Sequence, residues 1–428
     1  MQTTLLSRRA APALLAAGLG ACSLVAPFGD LRTGDVDGGT ARTDGGMCLT
    51  RPMPPMEEPL PSGMGAEVCN REDDDADGLV DEDLLVVEAV RAVPMFRAAL
   101  DARGMRGGGD DRLAVVATLG EGVVERLAIA EIYLADGVDP LVSTLLEGEV
   151  GGFDGARVRD GYAIAFALGG DVRFGVARDC DLSFGGVITI ASGSPSHVRV
   201  EAVTPLSVLV TWEAAGGEIG VALVDVREGP RVDVMHPNAL ADVGLSMGRD
   251  PDAWVDGSGN AQVAFAARDG EGFEGVYFRT VGGALGGLTT AARAGGFFGD
   301  APFTDPHGAT SSTGAMWIVF DQEPVAGSAF VTGSAITARR YGPPAEVLGL
   351  AASDTPDVGI LLDFAGRAVI ERVGPEAGGS ISRDSMPPSL GAERWRDLVG
   401  VPRGRTRYVA LGTRGGGALV MQRVGCFD

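Results

Sequence analysis

The chain has 428 residues, of which 45% are hydrophobic, 6% are aromatic, 66 are glycine and 24 are proline, and its formal net charge is −23 at pH 7. This composition can bury a large core, and it favours many turns and short strands over long helices. Because phosphate groups would be repelled over most of such an acidic surface, the charge argues against nucleic acid and anionic lipid as partners.

The N-terminal segment has the features of an export signal. Two basic residues, Arg8 and Arg9, precede an apolar run at residues 10–20, which is too short to span a bilayer as a mature helix. The sequence LGAC at residues 19–22 resembles the lipobox of bacterial lipoproteins. That resemblance implies a signal peptide of residues 1–21, acylation of Cys22 with palmitate among the chains, and attachment to the membrane through this lipid. An ordinary signal peptide cleaved elsewhere is the alternative.

The same resemblance bears on location. Ser23 in the second mature position implies an outer-membrane lipoprotein of the cell envelope, by the sorting pattern of that family, and either the periplasmic or the outer face remains open. In an exported protein disulfides persist. With Cys22 lipidated, four cysteines remain and three pairings are possible. Proximity favours Cys48 with Cys69, which leaves Cys180 with Cys426; one or both pairs could also stay reduced.

Residues 22–65 are predicted to form a flexible tether. They are rich in Gly, Pro, Asp and Thr, and no period of 2 or 3.6 persists in them. The segment of residues 84–104, LLVVEAVRAVPMFRAALDARG, is compatible with a strand that is followed by a short helix, and its pattern does not decide between the two.

An acidic segment, CNREDDDADGLVDED at residues 69–83, holds eight carboxylates and one arginine. Its oxygen donors alternate as in a calcium loop, and Gly78 permits the sharp turn that such a loop needs. The predicted ligands are the side chains of Asp73, Asp75, Asp77, Asp81 and Glu82 and the backbone carbonyl of Leu79. Oxygen ligands without His or thiolate favour Ca²⁺ over zinc or copper. A solvated acidic spacer is the alternative.

The calcium pattern is incomplete, since the EF-hand glutamate at the twelfth position is replaced by Leu84; the bidentate ligand would come from Glu82, Asp83 or outside the loop. The wider segment is similar to the MopE-type metal-binding motif of secreted and surface proteins in myxobacteria and their relatives, which implies a metal-binding unit at residues 66–84. Arg71 replaces the usual Gly and Ala76 the second Cys. Cys48 then becomes the natural partner of Cys69.

Beyond residue 110, compact β-rich stretches recur about fifty residues apart. They include RLAVVATLG, GYAIAFALGG, LSVLVTWEAAGG, AQVAFAARDGEG, AMWIVFDQ, RAVIERVG and RYVALGTRGGG. Two strand–turn–strand units, residues 251–268 and 356–372, align with each other. This repeat predicts an all-β fold, a β-propeller of six or seven blades over residues 85–428. A pair of β-sandwiches is the alternative. In the propeller, a Cys180–Cys426 disulfide would hold the last strand where the ring closes.

Two short motifs match enzyme signatures, but the sequence around each does not predict the secondary structure that the signature requires. The dinucleotide-type sequence GEGFEG at residues 270–275 leads into a further strand, so no helix N-terminus would hold a pyrophosphate, and a hairpin loop is predicted. The nucleophile-elbow sequence GLSMG at residues 244–248 is followed at once by Asp250-Pro251, which does not fit the required helix.

The histidines and tryptophans are assigned to structure rather than to chemistry. His197, His236 and His307 lie in different repeat units, and none has a second metal-type ligand at helical or hairpin spacing, so buried or loop histidines are predicted. Four tryptophans recur near strands and are predicted to pack between blades: Trp212, Trp254, Trp317 and Trp395.

These features together predict a lipid-anchored envelope protein whose propeller binds a protein or a glycan and is not an enzyme. Ca²⁺ would rigidify the join between tether and propeller. The alternative is a propeller hydrolase that acts on a polysaccharide with two carboxylates facing the central channel. Two carboxylates roughly 5 to 9 Å apart in such a pocket would favour the hydrolase.

Overall fold

The computed structural model describes residues 86–425, apart from gaps at 94–95, 97, 107–111, 122–123, 135–139, 180, 296–297, 323–324, 333–334, 341–345, 354, 364–366, 375–380, 386–393, 402–405 and 416. The regular secondary structure of these residues consists of β-strands. The same residues contain no helix long and apolar enough to cross a bilayer. The predicted signal peptide, tether and acidic segment and all five cysteines lie outside them.

The strands form seven antiparallel sheets, the blades of a seven-bladed β-propeller. Blade 1 consists of β3 (Ala99–Arg106), β4 (Arg112–Glu121), β5 (Val124–Tyr133) and β6 (Leu141–Glu147). Blade 2 consists of β7 (Val150–Val158), β8 (Gly161–Leu168), β9 (Asp171–Arg178) and β10 (Phe184–Ser192). Blade 3 consists of β11 (Ser196–Thr204), β12 (Ser207–Ala214), β13 (Glu218–Asp225) and β14 (Arg231–His236). Blade 4 consists of β15 (Ser246–Val255), β16 (Ala261–Arg268), β17 (Glu274–Val281) and β18 (Thr289–Arg293).

Blade 5 consists of β19 (Thr304–Thr310), β20 (Met316–Gln322), β21 (Val325–Thr332) and β22 (Ala335–Arg340). Blade 6 consists of β23 (Glu346–Ala352), β24 (Val358–Asp363), β25 (Ala368–Val373) and β26 (Ile381–Ser385). Blade 7 takes β27 (Arg394–Gly400), β28 (Thr406–Arg414) and β29 (Ala418–Gly425) from the end of the chain. In each blade the first of these strands is the inner one, because the inner strands contact one another in a closed cycle from β3 to β27 and back to β3.

The N-terminal end of the described chain closes the ring. Two short strands, β1 (Val86–Val87) and β2 (Arg91–Ala92), pair antiparallel with β29 and supply the outer edge of blade 7. The first and last strands of the propeller therefore belong to one sheet. Hydrogen bonds between β1, β2 and β29 close the ring, and the predicted Cys180–Cys426 disulfide stays a prediction because both cysteines lie outside the described residues.

Seven hydrophobic clusters fill the seven junctions between neighbouring blades. A middle strand such as β8 is buried on both faces, which explains why it reads as a continuous apolar run and not as an alternating one. The four tryptophans Trp212, Trp254, Trp317 and Trp395 are all buried, as predicted. The β-sandwich alternative is wrong, because each sheet packs against two neighbours around a ring.

Two sequence expectations need correction. The segment of residues 84–104 ends as the inner strand β3 and not as a helix. The two aligned units are not equivalent: residues 251–268 form the first hairpin of blade 4, from β15 and β16, whereas residues 356–372 form the second hairpin of blade 6, from β24 and β25. The two segments look alike because both sequences contain apolar stretches separated by Asp and Gly residues, although their positions in the blade differ.

Candidate functional site

A cavity of about 460 Å³ lies at the centre of the ring and is lined by residues from all seven inner strands. Its ionisable lining residues come from six of these strands: Arg103, Asp154, Arg157, Arg199, Glu201, Asp252, His307 and Asp397. Inner strands of a propeller face the axis, so charged residues on them are exposed to the channel and not to the outer surface. The cavity is therefore the first candidate for a binding site.

Three aspartates of the inner strands make the same bond to the next blade. The Oδ2 atoms of Asp154, Asp252 and Asp397 accept hydrogen bonds from the backbone amides of Val200, Gly308 and Gly104, at 2.8, 2.8 and 2.7 Å. The residue directly before each donating amide is basic: Arg199, His307 and Arg103, in the same order. These six residues therefore occupy equivalent positions in their blades.

We call these positions, with the corresponding one in blade 6, the channel ring. Its members in chain order are Arg103, Asp154, Arg199, Asp252, His307, Gly349 and Asp397. Gly349 is the member from blade 6 because a Cβ atom on it would lie 2.9 Å from the amide nitrogen of Leu398, the residue after Asp397. Basic and acidic residues thus alternate around the axis, and a glycine takes one position.

β-Bulges contribute to this arrangement. In blades 3 to 7, the pairing of the inner strand with its neighbour shifts immediately before the ring residue. A bulge re-aims the following side chain. In blades 3, 4 and 5 the bulged residues His197, Asp250 and Asp305 have φ angles of 46°, 50° and 44°, and each lies two residues before its ring residue. Strained backbone of this kind clusters at functional sites in proteins.

The carboxylates of the ring are held by the backbone. Asp397 accepts the amide of Leu398 through Oδ1 at 2.9 Å, in addition to the amide of Gly104. Asp154 and Asp252 likewise accept both the amide of the following residue and one from the next blade. Each of the three side chains therefore joins two blades, and its orientation is fixed before any ligand binds.

Burial and the neighbouring charges set the protonation of the ring. Burial raises the pKa of Asp252 and of Asp397 to about 6, and Arg199 and Arg103 respectively oppose this rise. Burial, followed by the charge of Arg199, lowers the pKa of His307 to about 3. Arg199 and Asp252 each keep 13% of their side chain exposed. Burial also raises the pKa of Asp154, and the charge of Arg199 opposes this rise. At neutral pH His307 is therefore uncharged, and the ring sets three carboxyl groups beside two guanidinium groups.

A second polar cluster lies beside the ring, where blades 3 and 4 meet. His197 Nδ1 lies 3.1 Å from Glu213 Oε2, and His197 Nε2 lies 3.3 Å from Asp250 Oδ1. Glu213 is at the end of β12, paired opposite Ser196, and Asp250 comes from β15 of the next blade. One candidate ligand atom from each of the three residues lies within 4.8 Å of those from the other two. Among the described residues, this is the set that could hold a metal ion.

The motifs singled out in the sequence can now be placed in the fold. The GEGFEG segment lies in the predicted hairpin, where it covers the β16–β17 turn and the first two residues of β17. Asp250-Pro251 lies inside strand β15, so the nucleophile-elbow context is absent. The predicted Ca²⁺ ligands Asp73, Asp75, Asp77, Leu79, Asp81 and Glu82 lie outside the described residues, as does Cys22.

The sequence reasoning missed two features. The channel ring has no local motif, since its members are about fifty residues apart. The partners of His197 were missed because Glu213 lies across a hairpin and Asp250 in another blade. The register of the β11–β12 hairpin around its Thr204–Ser207 turn was the one available signal for Glu213.

No family model and no curated protein matches the sequence. Solved structures with a similar fold include a family 25 polysaccharide lyase, an ulvan lyase (11% identity, TM-score 0.51), which covers 79% of this chain and 94% of its own. The Dos1 propeller (6%, TM-score 0.49) covers 80% and 95%. The β-propeller domain of Cps50 (Swd1) from Myceliophteria thermophila (11%, TM-score 0.48) covers 79% and 100%. At these identities the likeness concerns the fold alone.

Proposed function

We propose that this chain is a lipid-anchored protein of the cell envelope whose propeller is a non-catalytic recognition domain, with its ligand site in the central channel. The observation that carries the proposal is the channel ring, in which fixed carboxylates and guanidinium groups alternate around a cavity of about 460 Å³. Such a site offers hydrogen-bond donors and acceptors in one preorganised layer, which favours recognition of a polar ligand.

The size and lining of the cavity favour a glycan over a folded protein as the ligand. The volume lies in the range of about 300 to 1,000 Å³ that is typical of small-molecule sites. A saccharide of few rings presents hydroxyl groups that both donate and accept hydrogen bonds, which suits Asp397 and Asp154 as acceptors and Arg103 and Arg199 as donors. A polar loop of a partner protein would use the same groups.

Substitution Arg199→Gln is expected to weaken ligand binding at least tenfold, because it removes the charged donor that faces Asp252 at 3.7 Å inside the cavity. Binding is measured on a glycan array and then by calorimetry with the mature chain and the glycan that the array identifies. Arg231→Gln is the matched control, since Arg231 is 72% exposed on the outer strand β14. Equal binding by the two variants, both folded by circular dichroism, would remove the channel as the site.

A polysaccharide hydrolase is the second candidate, and one observation favours it: four carboxylates, those of Asp154, Glu201, Asp252 and Asp397, line one cavity. Against this candidate, Asp154, Asp252 and Asp397 are each held by backbone amides of two strands, which fits a structural role better than proton transfer. Release of reducing sugars by the unmutated chain, with loss of that release in Asp397→Asn, would replace the recognition proposal by the hydrolase.

The anchor is a separate part of the proposal and rests on the lipobox-like sequence before Cys22. Cys22→Ala is expected to move the protein from the membrane fraction to the soluble fraction of cells, because the variant lacks the acylated sulfur and the mature sequence has no apolar run of membrane-spanning length. Fractionation after a salt wash, with Cys48→Ala as control, measures this. A variant that still sediments with membranes would contradict the lipoprotein assignment.

We further propose that the acidic segment binds Ca²⁺ through Asp73, Asp75, Asp77, Asp81, Glu82 and the carbonyl of Leu79. The segment ends at residue 84, two residues before the first residue of the closing strand β1, so bound Ca²⁺ would order the chain beside the closure of the ring. Protection of residues 66–84 from proteolysis by Ca²⁺, compared with chelator, is the measurement that decides this.

A further inference from the structure

The cluster of His197, Glu213 and Asp250 sets two carboxylates against one imidazole ring. Both ring nitrogens of His197 face a carboxylate oxygen, at 3.1 and 3.3 Å. A neutral imidazole carries one N–H and can donate to one of these oxygens; the other contact sets a nitrogen lone pair against an oxygen unless a second proton or a metal ion lies between them. A cation bound between His197 Nε2 and Asp250 Oδ1 would remove this repulsion.

The spacing of the donor atoms suits a transition-metal ion. Two ligands bound at about 2.1 Å to a tetrahedral or octahedral ion lie roughly 3.0 to 3.4 Å apart, and His197 Nε2 and Asp250 Oδ1 are 3.3 Å apart. Glu213 could then accept the proton of Nδ1, which fixes the imidazole as carboxylates do around many metal-bound histidines.

The carboxylates of Glu213 and Asp250 are oriented by backbone amides. Glu213 Oε2 accepts the amide of Asp250 at 3.2 Å, and Asp250 Oδ2 accepts the amide of Asp305 at 3.4 Å. In the described part of the chain, the ion pairs of Glu213 and Asp250 are made with His197 alone. The ring aspartate Asp252, two residues away, differs in having Arg199 beside it.

We propose that His197, Glu213 and Asp250 form a binding site for a divalent transition-metal ion such as Zn²⁺ at the junction of blades 3 and 4. One imidazole nitrogen with carboxylate oxygens suits Zn²⁺, Co²⁺, Ni²⁺ or Cu²⁺ better than Ca²⁺ or Mg²⁺, which take oxygen ligands. The side chain of His197 is 44% exposed, so the site is open to solvent and leaves coordination positions for water. His197 and Asp250 each lie two residues before a ring residue, which places the ion next to the channel.

The test uses the mature chain without a polyhistidine tag, in saturating Ca²⁺ so that the acidic segment is occupied. Calorimetry with Zn²⁺ is expected to give one site per chain, with affinity reduced at least a hundredfold in His197→Gln and at least tenfold in Asp250→Asn. His236→Gln is the matched control, because His236 lies on β14 and its Nε2 contacts the carbonyl of Gly282. Circular dichroism confirms that each variant is folded.

A spectroscopic readout separates this site from the carboxylates of the acidic segment. Cu²⁺ bound to the unmutated chain is expected to show ¹⁴N hyperfine coupling from one imidazole, which His197→Gln loses and His236→Gln keeps. Coupling that survives in His197→Gln, or Zn²⁺ binding that is equal in all variants, would overturn the site. So would an NMR titration in which His197 takes up a proton near neutral pH and its signals do not respond to Zn²⁺, since the cluster would then hold a proton and not a metal.

Discussion

Replacing Glu88 by Ala is expected to lower the free energy of unfolding by about 2 to 4 kcal/mol. Glu88 lies between β1 and β2, and its two carboxylate oxygens accept hydrogen bonds from Nε and Nη2 of Arg423 at 2.7 and 2.6 Å. Arg423 is on β29 and only 11% of its side chain is exposed. The variant therefore removes the bidentate carboxylate partner of a largely buried guanidinium, at the sheet that closes the ring.

Urea unfolding followed by circular dichroism measures this effect. Glu228→Ala is the matched control, since Glu228 is exposed in the turn between β13 and β14, and a change within about 0.5 kcal/mol is expected for it. Glu88→Gln keeps the acceptor oxygen and should lose less than Glu88→Ala. If Glu88→Ala and Glu228→Ala unfold at the same urea concentration, the N-terminal strands do not hold blade 7 together.

Gly400→Ala is expected to destabilise the propeller by about 3 kcal/mol or more. A Cβ atom on Gly400 would lie 2.0 Å from the carbonyl oxygen of Ala352 and 2.6 Å from its carbonyl carbon. These atoms belong to the backbone of the neighbouring inner strand, so relief requires blades 6 and 7 to move apart and cannot come from a change of rotamer. We expect the melting temperature to fall by several degrees.

The control for this variant is Gly185→Ala on the outer strand β10, where a Cβ atom would meet nothing within 4 Å. There the added methyl group is expected to change stability by less than about 0.5 kcal/mol, because it restricts the unfolded chain and meets no neighbour. Equal melting temperatures for Gly400→Ala and the unmutated chain would mean that the close approach of blades 6 and 7 is absent in solution.

The fold could be predicted from the sequence because its β-rich stretches repeat about every fifty residues. Each four-stranded sheet has two apolar faces, and stretches such as GYAIAFALGG therefore recur once per blade as continuous apolar runs. The exact blade number and the position of each hairpin could not be predicted in this way. The hairpins at residues 251–268 and 356–372 resemble each other because turn chemistry is the same at both places in a blade.

The two strands that close the ring, β1 and β2, could not be predicted from the local sequence pattern. Val86–Val87 and Arg91–Ala92 are too short to indicate a partner, and their place beside β29 depends on the two ends of the described chain meeting in one sheet. Hydrogen bonds between strands that are distant in sequence leave no local signal. The sequence alone therefore left residues 84–104 between a strand and a helix, and the paired sheet decided for strands.

By itself the sequence determined a repeated all-β architecture, because apolar periodicity and turn residues act within a few positions along the chain. It also supports the expectations of an export signal, a lipid-modified Cys22 and an oxygen-rich Ca²⁺ segment, because those signals are contiguous. Only the tertiary structure decided which charged residues share a site. Arg199 and Asp252, or His197 and Asp250, become neighbours because ring closure brings one residue from each blade to a common axis, and no spacing along the chain records that geometry.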